Sequence, residues 1–229
     1  MKKKSLVILL SALGGVTVAG VVGGVIIYKT TNRNSFPVPH SQQAYVNQLI
    51  KEHNIPASKF NNNKGEEIVL IIKHSEYNKE GTECLEIGYS LTSNKQIQIE
   101  EFKPSTKKVP SVLPSHITSL KFAFMKNKSK TIENLEKWNT SGITDMSWMF
   151  ADAKNFNQKI SNWNTSNVRF MRFMFADASK FNQNLSNWNL KNISKDVTKR
   201  NGQIFTSWVG FNIRAHSEFK DNKLPKFPK

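Results

Sequence analysis

The tryptophans at 138, 163 and 188 mark a repeat of 25 residues, and the sequence around them returns almost unchanged. Trp138-Asn139-Thr140-Ser141-Gly142-Ile143 comes back as Trp163-Asn164-Thr165-Ser166-Asn167-Val168, and Met149-Phe150-Ala151-Asp152-Ala153 as Met174-Phe175-Ala176-Asp177-Ala178. A unit this short cannot cover its own apolar side and is stable only when neighbours stack on it, so the chain is constrained to a stacked array. A weaker copy lies upstream, where Ile117, Leu120 and Phe124 precede Ile143, Met146 and Phe150 by 26 positions. Downstream, Asn192-Ile193 follows Asn167-Val168 by 25, and then the pattern fails. Three to four turns with atypical ends are expected.

Within a unit, Val168, Met171, Met174, Phe175 and Ala178 have the spacing of one apolar helix stripe, as do Ile143, Met146, Met149, Phe150 and Ala153. The Thr-Ser pair before each stripe is suited to cap a helix start. Ile160-Ser161-Asn162-Trp163-Asn164 is too short for a helix and alternates as a half-buried strand does. The expected fold class is therefore α/β, a short leucine-rich-repeat-like β-α solenoid over residues 111–200. Its Met and aromatic stripes are read as core, with no cofactor implied.

Upstream, residues 66–110 read as a small α+β cap. Ile68–Ile72 is a β-branched run suited to a strand buried on both faces. Cys84–Tyr89 and Gln96–Glu100 flank the turn-like Thr92-Ser93-Asn94-Lys95, which predicts a hairpin. Residues 30–65 read as a linker with a short helix over 41–54, its apolar side formed by Ala44, Leu49 and Ile50. At the far end, residues 201–229 form a C-terminal cap and tail, with Phe205, Trp208, Val209 and Phe211 covering the last unit.

Residues 5–28 carry no charge and follow Lys2-Lys3-Lys4. That length crosses a bilayer as one helix, and the lysines place the N-terminus inside and the bulk of the chain outside. Residues 1–29 are thus expected to be an uncleaved signal-anchor, a transmembrane helix; cleavage near Val18-Ala19-Gly20 is the alternative. Gly15, Ala19 and Gly23 share a helix face that would let two such helices approach, a weak homo-oligomer contact through the anchor. The lone cysteine, Cys84, excludes an intramolecular disulfide.

The net charge of +16 invites a polyanion. Lysines far outnumber the five arginines, however, and Asn and Ile are abundant, the mark of an A- and T-rich coding sequence. Without an Arg cluster interleaved with aromatics, no specific nucleic-acid partner is expected. The histidines are scattered, and no zinc-protease, serine-hydrolase or phosphate-loop motif is present, so no enzyme activity, cofactor or metal is expected. Asp152 and Asp177 recur at one position, which reads as a periodic surface or capping role.

Trp138-Asn139-Thr140-Ser141, Asp145-Met146-Ser147-Trp148-Met149-Phe150, Ala153-Lys154-Asn155-Phe156-Asn157-Gln158 and their second copies resemble the BspA-like leucine-rich-repeat surface proteins, in particular the mycoplasma-type subgroup with 25-residue repeats. The resemblance extends over roughly residues 66–200 through Cys84-Leu85-Glu86-Ile87-Gly88-Tyr89 and Val109-Pro110-Ser111-Val112-Leu113-Pro114. It implies a cell-surface protein with an adhesive role and transfers no catalytic residue. The functional expectation is a membrane-anchored extracellular module that binds a host protein or glycan, or alternatively a structural envelope protein that self-associates. If Trp163 and Trp188 point inward, Asn162, Asn164, Asn187 and Asn189 point outward as two columns of amides, the expected ligand face.

Overall fold

The computed structural model describes residues 16–22, 25–30, 40–60, 67–195, 198–200 and 203–228. Among these residues there is little regular structure: one short α-helix, small antiparallel sheets, and a large buried aromatic cluster. Two compact units are present, residues 1–71 with 90–96 and residues 72–89 with 97–229.

In the first unit, β1 (Val16–Val22) pairs antiparallel with β2 (Val25–Thr30), Val22 opposite Val25. These strands stand in part of the segment 5–28 where a membrane helix is expected, and among the described residues no helix is long and apolar enough to cross a membrane. Residues 5–15 and 23–24 of that segment lie outside the described residues. The strands are rich in β-branched Val and Ile, which suit extended backbone.

Helix α1 (His40–Glu52) ends where Ile55 N–H donates to the Ile50 carbonyl (3.0 Å) and Asn54 turns left-handed at φ 49°. Its buried side is Gln42, Val46 and Leu49; Ala44, expected there, is exposed. Strands β3 (Ile68–Lys73), β4 (Glu76–Tyr77), β5 (Cys84–Glu86), β6 (Tyr89–Thr92) and β7 (Ile97–Ile99) follow; β3, β6 and β7 form one sheet in that order, and β4 pairs with β5. The expected hairpin therefore has a different first arm. Gly88 separates β5 from β6, and a Cβ on it would lie 2.3 Å from Glu100 Oε2. Strand β3 is half-buried throughout rather than enclosed on both faces.

The second unit is a stack of rungs. Parallel bridges align Gln98, Ser119, Asp145 and Phe170 in one column and Glu83, Lys108 and Glu133 in another. In the rung that starts after Asp145, alternate amides have different destinations. Met146, Trp148, Phe150 and Asp152 donate forward to the carbonyls of Phe170, Arg172, Met174 and Ala176 (2.7–2.9 Å), whereas Met149, Ala151 and Ala153 donate back three residues within the rung. The rungs after Ser119 and Phe170 repeat this pattern. The expected β-α unit is thus corrected: the apolar stripe at 143–153 is a series of tight turns carrying the parallel bridge, and residues 160–164 form no strand. Left-handed residues at Trp148 (φ 61°) and Asp152 (φ 58°), and at Phe173 and Asp177, prevent helical winding. Consecutive turns bury the same residues a helix would, Met146, Met149, Phe150 and Ala153 among them, while freeing every second amide for the next rung.

Sequence reasoning missed a fourth rung. Met171, Phe173, Phe175 and Asp177 donate to the carbonyls of Ser207, Val209, Phe211 and Ile213 (2.8–3.0 Å). Gly210 and Arg214 are left-handed where Phe173 and Asp177 are, 37 positions on rather than 25. The added length contains the antiparallel pair β8 (Thr198–Arg200) and β9 (Gln203–Phe205).

Rings stack along the rungs. Phe102, Phe124, Phe150 and Phe175 lie 4.6–5.6 Å apart and nearly parallel, and Phe156 lies over Phe181 at 5.7 Å. Phe219 meets Phe175 and Phe181 edge-on at 80° and 85°, which closes both columns.

Candidate recognition surface

Trp163 is 4% exposed and stacks on Trp188 at 6.5 Å, so the tryptophan column belongs to the core. Trp138 and Trp188 each donate Nε1–H to a carbonyl 28 positions earlier, those of Pro110 and Ile160. The buried Trp163 Nε1 has no such acceptor. Its counterpart carbonyl would be that of Leu135, where the chain enters a single 3-10 turn (Leu135–Lys137) after left-handed Asn134.

Asn162, Asn164, Asn187 and Asn189 are all exposed. Much of their hydrogen-bonding capacity is already used. Asn162 Nδ2 donates to the Glu136 carbonyl (3.1 Å) and Asn187 Nδ2 to that of Ser161 (3.0 Å), each 26 positions back. Asn167 and Asn192 do the same to Ser141 and Ser166 (2.8 Å). These amides join the rungs at corners where no backbone ladder runs. Asn164 and Asn189 instead accept on Oδ1 from the amides of Ser166 and Lys191 (3.0 Å), closing Asx turns, as exposed Asn139 does for Ser141. The structure thus separates the proposed face into an inter-rung column, Asn162 and Asn187, and an outer column, Asn139, Asn164 and Asn189. The threonines expected as helix caps bridge rungs instead: Thr140 and Thr165 donate Oγ–H to the carbonyls of Asn164 and Asn189.

Of the repeated aspartates, Asp177 holds Arg214 through two bonds of 2.7 Å and Asp152 lies 3.5 Å from Lys154. Both serve the surface of the array. Buried Asp145 accepts from Ser147 N–H (2.7 Å); burial lowers the pKa of Arg172 on the adjoining rung, and the Asp145 charge opposes that shift.

A cleft of about 360 Å³ lies between His74–Asn78 and Glu100–Lys103, and nothing in the repeat pattern signals it. Glu100 accepts from Ser75 N–H on Oε2 and lies 2.9 Å from His74 Nδ1 on Oε1. The Tyr77 hydroxyl accepts from Lys103 N–H (3.1 Å), and Lys103 Nζ sits 4.2 Å above the Tyr77 ring. Burial pushes the Tyr77 phenol up. These groups brace one another across the cleft. Cys84 is buried, its thiol pushed up to about 12 by desolvation, and it donates to the Glu86 carbonyl.

Among the described residues no group of three or more His, Cys, Asp or Glu is placed to hold a metal ion. Neither a curated protein nor a solved structure matches the chain. Residues 118–218 match the family model described as "Mycoplasma protein of unknown function, DUF285", a stretch that begins at the Ser119 rung and takes in the rung of Ser207. The stacked turns of residues 118–218 are therefore the part of the chain that is similar to this DUF285 family.

Proposed function

We propose that the chain is a membrane-anchored extracellular repeat protein that binds or adheres to host or surface macromolecules and catalyses no reaction. The observation that carries this reading is the outer column Asn139, Asn164 and Asn189, which places the same exposed, uncharged group on successive rungs. A surface repeated at the rung spacing suits a protein or glycan partner that offers polar groups in series.

The apolar stretch 5–28 supports the anchor. A two-stranded ribbon leaves backbone groups unpaired along both edges, which hydrocarbon penalises, so entry into a bilayer would require this stretch to become helical. Among the described residues β1 and β2 pair only with each other, which also favours a second reading, an envelope protein that self-associates through this ribbon.

Two measurements test the proposal. Protease added to intact cells removes the bulk of the chain if it lies outside, and its survival on whole cells overturns the topology. The full chain with Asn164→Ala and Asn189→Ala is then compared with wild type on arrays of glycans and host surface proteins. Loss of binding at unchanged melting temperature supports the outer column, and unchanged binding removes it. Concentration-dependent sedimentation without any array binding favours the envelope reading.

A further inference from the structure

The fourth rung ends the ladder with a row of backbone donors. Its carbonyls are all engaged: those of Ser207, Val209, Phe211 and Ile213 accept from the preceding rung, and those of Thr206, Trp208, Gly210 and Asn212 close turns within the rung. The forward amides have no such partners. In the three preceding rungs the four corresponding N–H groups donate onward, but those of Trp208, Gly210, Asn212 and Arg214 meet no acceptor among the described residues. The C-terminal tail does not fill the row. Phe219 closes the ring columns, and Phe227 stacks on Trp208 at 5.6 Å, yet among the described residues no tail carbonyl accepts from these amides. The rung is half-exposed or exposed except at Ser207 and Phe211.

We infer that this edge is a docking site for an extended acidic polypeptide segment, whose carbonyls take the place of a fifth rung. Three features select this occupant. A row with donors only cannot pair with the same edge of a second copy, since N–H would face N–H. The acceptor on every other forward row in the molecule is a polypeptide carbonyl with two-residue spacing. The remaining charge is positive: Arg214 is held by Asp177 and Lys223 lies 3.8 Å from Glu218, which leaves Lys220 and Lys226 against Asp221 in residues 206–228 of a chain of net charge +16. Gly210 leaves the centre of the edge without a side chain, because the Phe173 ring occupies the place of its Cβ. This surface is distinct from the asparagine column, so either proposal can fail alone.

The test uses the full-length chain and a fluorescein-labelled peptide of six Val-Glu repeats, with a Val-Lys peptide of equal length and a heparin oligosaccharide as comparators. In the free protein the amides of Trp208, Gly210, Asn212 and Arg214 should exchange with deuterium rapidly, while those of Met171, Phe173, Phe175 and Asp177 are protected. Val-Glu peptide should protect the first set; Val-Lys peptide and heparin should not. Asn212→Pro removes one donor, whereas Asn212→Ala loses the same side-chain bond to the Phe219 carbonyl and keeps the amide. The proline variant should bind Val-Glu peptide about fivefold more weakly than the alanine variant, the effect of one hydrogen bond. If the proline variant does not fold, the wild-type exchange pattern decides. Protection of the four amides in the free protein, equal protection by Val-Lys peptide, protection by heparin instead, or no protection by Val-Glu peptide each overturns the proposal.

Discussion

An asparagine at a corner of the array does what aspartate cannot, because it donates a hydrogen bond to the carbonyl of the rung behind. Asn162→Asp replaces the donor to the Glu136 carbonyl with a second acceptor, and should lower stability by about 1 kcal/mol in urea unfolding. Asn164→Asp should change it less, since Oδ1 already accepts from Ser166 N–H. Truncating a buried aromatic costs about 3–5 kcal/mol, so Trp163→Ala should unfold at a much lower temperature than wild type. Equal stability with lost binding would make Trp163 a ligand platform instead. His116 lies 4.4 Å from the Tyr89 ring, and burial lowers its pKa below the ordinary 6.5. A base whose folded pKa is depressed favours the native state in its neutral form. This contribution is present above about pH 6.5 and is lost as pH falls through the lower folded value. His116→Gln should therefore flatten the stability profile on the acid side of pH 6.5, as measured by urea midpoints across a pH series.

The rung is an element that hydrophobic periodicity alone mistakes for a helix, since both place Met146, Met149, Phe150 and Ala153 inside. What distinguishes them is the fate of alternate amides and the left-handed residues that release those amides, and neither is written in apolar spacing. The period itself was legible, as were the weaker first copy and the inward tryptophans. Length and lack of charge over 5–28 point to an anchor helix, whereas the β-branched valines point to the strands at Val16–Val22 and Val25–Thr30. The fourth rung carried a readable clue. Gly210 stands where Phe122, Trp148 and Phe173 hold left-handed conformations, and Ala215 stands where Ala178 does, but 37-residue spacing concealed both. The glycine is required twice over, by its φ of 66° and by the Phe173 ring 2.3 Å from any Cβ. Gly210→Ala should cost at least about 1–2 kcal/mol from the backbone alone. Adding Phe173→Ala should recover only the steric part, so a double-mutant cycle in thermal unfolding should show positive coupling; strict additivity would mean that the ring does not press on residue 210.

At the scale of the whole molecule, stacking makes each coil answer chiefly to the one before and the one after. The detour between Phe170 and Ser207 illustrates the latitude this gives: extra chain leaves at a corner, forms the β8–β9 pair, and returns with all four forward bonds made. A chain with residues 145–169 duplicated in tandem should therefore fold with one more coil and melt at a higher temperature, measurable by circular dichroism. Aggregation or a lower melting temperature would show that the ends, rather than the neighbouring coils, set stability. The same arrangement has a genetic consequence. Because any stretch of one period begins and ends at equivalent points of the coil, an in-frame duplication or deletion of that length adds or removes a complete coil. Such a gene can change the reach of its product in one recombination event while leaving both termini and every remaining interface as they were.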